Sequence, residues 1–176
     1  PLAEAAGRSA RWLKIAWLRQ SLSRFQLLVW MDLDAIFAQH KDSLETIIDP
    51  AFDLHVTYDF GREDKINTGF FALKASKWSA GFLDAVWEHN DSGLGLSDQA
   101  SINFVLDQLS DSERARRVKV YPRSLLNSFP QVSFIPVEDY QLPRAQGDEE
   151  QNSLVTHFAG QFGGARAYDG NTPPLM

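Results

Sequence analysis

Apolar residues recur at three- and four-residue intervals from Trp12 through Ile15, Leu18 and Leu22 to Phe25, while Arg11, Lys14, Arg19 and Arg24 fall largely between them. That spacing predicts an amphipathic helix. The period then changes: Leu27-Leu28-Val29-Trp30-Met31 is a continuous apolar run of strand length, of the kind buried on both faces of a parallel sheet, and it stops at Asp32-Leu33-Asp34. A short helical patch from Leu44 to Ile48 ends before Pro50, and His55 to Phe60 is rich in β-formers. Gly61 to Lys65 is expected as a polar connection, and Asn67-Thr68-Gly69 as a turn into a second core strand, Phe70 to Leu73. Trp78, Phe82 and Val86 mark a helix from about Ser76 to before Asn90. Ser97 is placed as the N-cap of another, whose buried stripe is Ile102, Val105, Leu106 and Leu109. Val118 to Tyr121 is a short strand stopped by Pro122; beyond it the chain turns irregular, up to a last strand candidate at Leu154 to Phe158. Helices alternating with apolar strands predict an α/β fold with a mixed, mostly parallel sheet flanked by helices.

Composition supports one globular domain over residues 1–176, with a glycine- and proline-rich tail at 161–176. With 44% hydrophobic and 23% charged residues, the chain is neither disordered nor fibrous. Zero cysteines exclude a disulfide framework, a thiolate metal site and a cysteine nucleophile. A net charge of −6, from 17 basic against 23 acidic residues, opposes binding to nucleic acid. The one basic cluster, Arg114, Arg116, Arg117 and Lys119, fits a helix C-terminus instead. No apolar run approaches the length of a membrane span, so this segment is expected to make no membrane contact itself.

Asp32 and Asp34 are the first candidates for chemistry. Both sit where an apolar strand ends, and open α/β sheets bind ligands outside the carboxyl ends of their strands. Residues two apart in extended chain point to the same side at roughly 7 Å, so both carboxylates can converge on one hard divalent cation. His157 ends the last strand candidate before a glycine-rich segment, where backbone N–H groups can approach a phosphate closely. His40, His55 and His89 read as structural. Asp98-Gln99 reads locally as helix-start chemistry, since an acid there complements the helix dipole.

Taken in order, these blocks resemble the retaining glycosyltransferases of the GT-A fold. The likeness is closest to glycosyltransferase family 34, with its plant xyloglucan xylosyltransferases and fungal galactosyl- and mannosyltransferases. The match runs from Trp12-Leu13-Lys14-Ile15 and Trp30-Met31-Asp32-Leu33-Asp34-Ala35 through Asn67-Thr68-Gly69-Phe70-Phe71, Lys74 to Ser79 and Asp98-Gln99-Ala100 to His157-Phe158-Ala159-Gly160. The resemblance implies a GT-A-like, Rossmann-like sheet and a Mn²⁺ (or Mg²⁺) ion ligated by Asp32, Asp34 and His157. It further implies catalytic positions at Asp98 and Gln99 beside the donor sugar, and substrate contacts from Lys14, Asn67, Thr68, Gly69 and Gly160. The implied substrates are a UDP- or GDP-sugar donor and a glycan acceptor. The implied reaction retains anomeric configuration, with the diphosphate rather than a protein base taking the acceptor proton. The implied setting is the Golgi lumen, on a single-pass type II membrane parent protein.

Three departures stand out. Plant members carry a phosphate-contacting Lys where this chain has Phe162, leaving Arg166 as the nearest cation. The family's first strand and helix, which hold the base and ribose, would precede Pro1, as would the membrane anchor, so the segment is expected to be N-terminally truncated. Two alternatives stay open. One is a truncated, non-catalytic fragment of such an enzyme. The other is a haloacid dehalogenase-type phosphohydrolase with Asp32 as nucleophile, in which the Asp-Gln and His-Phe-x-Gly blocks have no role.

Overall fold

The computed structural model describes residues 7–39, 42–59, 62–89, 97–128 and 153–157. The central sheet has the order β1 (Leu27–Met31), β4 (Arg62–Lys74), β3 (Leu54–Asp59), β5 (Val118–Tyr121). β4 runs antiparallel to both its neighbours, whereas β3 and β5 pair in parallel. Three of the four strands therefore point the same way, and the carboxyl ends of β1, β3 and β5 share one edge. A second sheet orders β2 (Ala35–Phe37), β7 (Val155–His157) and β6 (Asn127–Ser128), with β2 antiparallel and β6 parallel to β7.

Period-two alternation along β4 separates two cores. Phe71 and Leu73 face one way, into a cluster with Trp12 in the turn before α1 (Leu13–Ser21), Ile15 and Leu18 of α1 itself, Phe82 and Val86 of α3 (Lys77–His89), and Ile102 and Leu106 of α4 (Asp98–Asp107). Phe70 and Ala72 face the other way, onto Tyr121, Leu154, Val155 and Leu126 of α6 (Arg123–Leu126). Each such large apolar side chain stabilises the fold by about 1.5–3 kcal/mol when fully buried. The short helix α2 (Leu44–Ile47) joins β2 to β3 and α5 (Asp111–Arg117) joins α4 to β5; Arg114, Arg116 and Arg117 of the basic cluster lie in the last turn of α5 and Lys119 in β5.

Several expectations change. Residues 62–69 are part of β4, not a connection and a turn. The ladder between β3 and β4 jumps from His55↔Ala72 to Thr57↔Asn67, so Thr68 and Gly69 lie in a bulge that mimics a turn locally while the strand continues. β1 is not buried on both faces: among the described residues it is an edge strand, half-buried with Val29 exposed. An apolar run reports burial potential and not a strand's place in a sheet. Phe25, the last position of the predicted helical stripe, lies past the helix and is exposed. No helix among the described residues is long and apolar enough to cross a membrane.

Candidate active site

Strand direction gathers the candidates. Asp32 follows the last residue of β1, and its amide donates to the Gly69 carbonyl at 2.7 Å in the β4 bulge. Asp34 immediately precedes β2, whose register places Ala35 opposite His157 at the end of β7. The histidine thereby arrives beside the second aspartate, with Nε2 3.2 Å from Asp34 Oδ1. One ligand atom from each of Asp32, Asp34 and His157 lies within 4.8 Å of the other two. Two carboxylates and an imidazole at that separation suit a divalent cation with ligand distances near 2.0–2.6 Å.

His157 is 3% exposed and packed against Gly69, where a Cβ would stand 1.8 Å from the ring's Cε1. Its Nδ1 faces Asn67 Oδ1 at 3.2 Å. The same Asn67 oxygen accepts from the Gly69 amide at 2.9 Å, so the bulge and the histidine share one anchor.

The opposite wall is built by α1 and α4. Lys14, in the first turn of α1, is buried with its ammonium 2.7 Å from Asp98 Oδ2 and 3.2 Å from Asp32 Oδ1, and it donates to the Thr68 carbonyl at 2.9 Å. Three acceptors therefore surround its three donors. Without it, the carboxylates of Asp32 and Asp98 would face each other uncompensated in a partly desolvated place. Trp30 Nε1 donates to the same oxygen of Asp32, and the Lys14 ammonium lies 5.3 Å from the Trp30 ring centroid. Ser97 caps α4 as expected, its hydroxyl accepting from the Ala100 amide. Asp98 is buried against Lys14, and Gln99 Oε1 accepts from the Thr68 amide at 3.1 Å and hydroxyl at 3.3 Å.

Between the walls lies an open cleft of about 820 Å³, lined by Lys14, Asp32, Asp34, Thr68, Asp98 and Gln99 together with apolar side chains that include Trp17 and Trp30. The structure thus brings together Lys14, Asp32, Asp34, Asn67, Thr68, Gly69, Asp98, Gln99 and His157. Gly160, Phe162 and Arg166 lie outside the described residues, as do His40 and the 161–176 tail. His55 and His89 take structural places, the first hydrogen-bonded to Tyr121, the second bonded to Ser101 and stacked on Phe104. Sequence reasoning missed Asp59, which bonds both Asn67 and Gln99. A signal existed: Asp59 closes a run of β-formers, as Asp32 does.

The family profile of the nucleotide-diphospho-sugar transferases matches residues 11–157. No curated protein sequence matches this chain. Among solved structures, the chain is similar to a glycosyltransferase involved in the glycosylation of the major capsid of PBCV-1, with a TM-score of 0.59 and 17% identity over 85% of this chain and 69% of that one. It is also similar to an active-site mutant of LgtC, with a TM-score of 0.52 and 14% identity over 90% of this chain and 64% of that one. At such identities the likeness is one of fold, here the mixed α/β architecture of GT-A type. The profile match is a likeness of sequence, and its span holds Lys14, both cleft aspartates, Asp98, Gln99 and the histidine; by that match the chain belongs to the nucleotide-diphospho-sugar transferase family.

Proposed function

We propose that the chain is the catalytic part of a metal-dependent, retaining glycosyltransferase of the family 34 type, which moves a hexose or pentose from a UDP- or GDP-sugar to a glycan hydroxyl. The observation that carries this reading is the convergence of Asp32, Asp34 and His157 within 4.8 Å, with both aspartates lining the same cleft as Lys14, Asp98 and Gln99. In it, Asp32, Asp34 and His157 hold Mn²⁺ or Mg²⁺. A bound divalent ion supplies Lewis-acid stabilisation of the diphosphate leaving group.

The remaining work falls to side chains. Asp98, buried and ion-paired to Lys14 at 2.7 Å, is placed to accept hydrogen bonds from sugar hydroxyls. Gln99 is held against Thr68 at the side of the cleft where the anomeric carbon is expected. Lys14 offsets the charge of the two aspartates it touches and fixes the bulge through the Thr68 carbonyl. Gly160 and Arg166 belong to the same proposal as phosphate contacts, and Golgi-lumenal placement of a longer parent chain belongs to it as well. The phosphohydrolase alternative gives no part to Asp98 and Gln99, which line this cleft, or to His157, which is buried beside Asp34.

Titration calorimetry with UDP and Mn²⁺ tests the reading. Binding at millimolar affinity or tighter is expected in the wild-type chain. Asp32→Ala, Asp34→Ala and His157→Ala are each expected to abolish its metal-dependent part while the circular dichroism spectrum is kept. Unchanged binding in all three variants overturns the metal assignment, and wild-type binding weaker than millimolar favours the non-catalytic fragment. Anomeric analysis of a transfer product by NMR decides retention.

A further inference from the structure

Asp59, the last residue of β3, lies behind the cleft wall and not in it. Its two carboxylate oxygens hold one amide each: Oδ1 accepts from Asn67 Nδ2 and Oδ2 from Gln99 Nε2, both at 3.0 Å. Its own carbonyl accepts from Arg123 Nη1 at 2.9 Å, which ties the strand end to α6. An ionised carboxylate only accepts hydrogen bonds, so both amides must turn their NH₂ groups toward it and their oxygens away.

The consequences run in two directions. The Gln99 oxygen is sent to the Thr68 amide and hydroxyl. The Asn67 oxygen is sent to a point shared by the Gly69 amide at 2.9 Å, His157 Nδ1 at 3.2 Å and Asn127 Nδ2 at 3.3 Å. A carbonyl oxygen cannot donate, so the contact with His157 is a hydrogen bond only when Nδ1 carries the proton. With the proton held on Nδ1, Nε2, the nitrogen 3.2 Å from Asp34 Oδ1, is the one left to give up its proton and turn a lone pair toward a cation shared with that carboxylate. We propose that Asp59 is a positioning residue for the site, fixing through Asn67 the tautomer that presents His157 Nε2 as a metal ligand, and through its second oxygen the orientation of Gln99. This rests on the metal reading given above and extends it to a residue outside the ligand set. Partners of this kind beyond the ligands typically govern metal affinity by 10–100-fold.

The first readout needs neither metal nor activity. Long-range ¹⁵N–¹H correlation of the histidine rings in metal-free protein reports whether Nδ1 of His157 bears a proton. A proton on Nδ1 is expected in the wild type, whether or not Nε2 also carries one beside Asp34, and a bare Nδ1 there overturns the proposal without any variant. Asp59→Asn replaces one acceptor oxygen by a donor and forces one of the two amides to turn. It is expected to deplete the Nδ1 proton of His157 and to weaken Mn²⁺ binding, followed by electron paramagnetic resonance, by roughly 10–100-fold. The exposed control Asp107→Asn is expected to do neither. A folded Asp59→Asn protein with the wild-type tautomer and Mn²⁺ affinity within about twofold of wild type overturns the proposal. If the wild type takes up no Mn²⁺, the metal reading fails by itself, and the Nδ1 proton of His157, compared between the wild type and Asp59→Asn, still decides the role of Asp59.

Discussion

Gly69 is required by its neighbour and not by its backbone angles, since the one glycine with a positive φ among the described residues is Gly7. The hydrogen in place of a side chain leaves room for the His157 ring, and a Cβ there would lie 1.8 Å from Cε1 and 2.5 Å from Nδ1. The ring has little freedom to retreat, because it is buried and faces Asn67 on one side and Asp34 on the other. Gly69→Ala is therefore expected to cost about 1–3 kcal/mol of stability through overpacking. It should also lower Mn²⁺ affinity at least about tenfold as the histidine is displaced. Urea unfolding and a Mn²⁺ titration check the two effects, and an alanine variant with wild-type affinity would show that the ring's position is not what matters. Lys14 teaches a different lesson at this scale. Its place in the amphipathic period is that of a polar, solvent-facing position, yet it is 6% exposed between two carboxylates and a carbonyl. Periodicity assigns a residue to a helix face; it does not say that the polar face meets a charged wall instead of water. Only the likeness of Trp12-Leu13-Lys14-Ile15 to a family helix pointed toward the cleft.

The elements most legible in the sequence are those whose residues repeat the same environment. α3 and α4 follow from their apolar stripes, and the α4 start follows from Ser97, whose hydroxyl does cap the helix. β4 was legible only in its second half, because the site itself interrupts the regular alternation: residues 67–69 carry turn-type side chains for the sake of the bulge that holds Asp32 and His157. β2, three residues long and adjoining the Asp-x-Asp, is too short to carry a period of its own, although its pairing with β7 is what delivers His157. The joint between α4 and β4 was equally invisible. Asn103 there acts as a one-residue strand partner: its Oδ1 accepts from the Ile66 amide at 2.8 Å, and its Nδ2 donates to the Ile66 carbonyl at 3.0 Å. Asn103→Leu keeps the volume but strands both buried groups of that peptide. With each of the two unsatisfied groups costing about 1–3 kcal/mol, a loss of about 2–6 kcal/mol is expected. Amide exchange at Ile66 should accelerate sharply in the variant, and protection kept at Ile66 would contradict this account of the joint.

Across the whole molecule, the sheet directs chemistry to one edge and structural polarity to the space between the two sheets. The α/β class and the strand-end placement of Asp32, Asp34 and His157 follow from strand-length apolar runs ending in polar residues, a local pattern. The pairing order does not, because which strands lie side by side depends on contacts far apart in sequence, such as Leu27 with Lys74 or Thr57 with Tyr121. Those contacts also create a buried polar pair with a predictable effect on the fold as a whole. His55 is fully buried with Nδ1 3.2 Å from the Tyr121 hydroxyl, and that hydroxyl accepts from the Asp49 amide at 2.9 Å. The hydroxyl and His55 Nδ1 share one hydrogen bond, which the imidazole can accept only while Nδ1 is unprotonated and can donate only while it is protonated. Burial, partly opposed by the Phe52 backbone and by the charges of Asp49 and Asp53, holds the imidazole below its ordinary 6.5; burial likewise lifts the Tyr121 phenol above 10.0. The signs follow from linkage. As pH falls through 6.5 the unfolded chain takes up the His55 proton before the folded one, so this part of the stability is full above that value and is lost on acidification. As pH rises through 10 the unfolded chain gives up the Tyr121 proton first, so stability declines on the alkaline side as well. Urea unfolding of the wild type and of His55→Phe at a series of pH values isolates the acid limb. The variant is expected to be less stable at about pH 8, where the tyrosine loses its hydrogen-bond partner, and to close part of that gap by about pH 5, where the wild type alone carries the cost of keeping a buried imidazole uncharged. A difference between the two proteins that stays constant from pH 8 to 5 would mean that His55 titrates in the fold as it does in the unfolded chain.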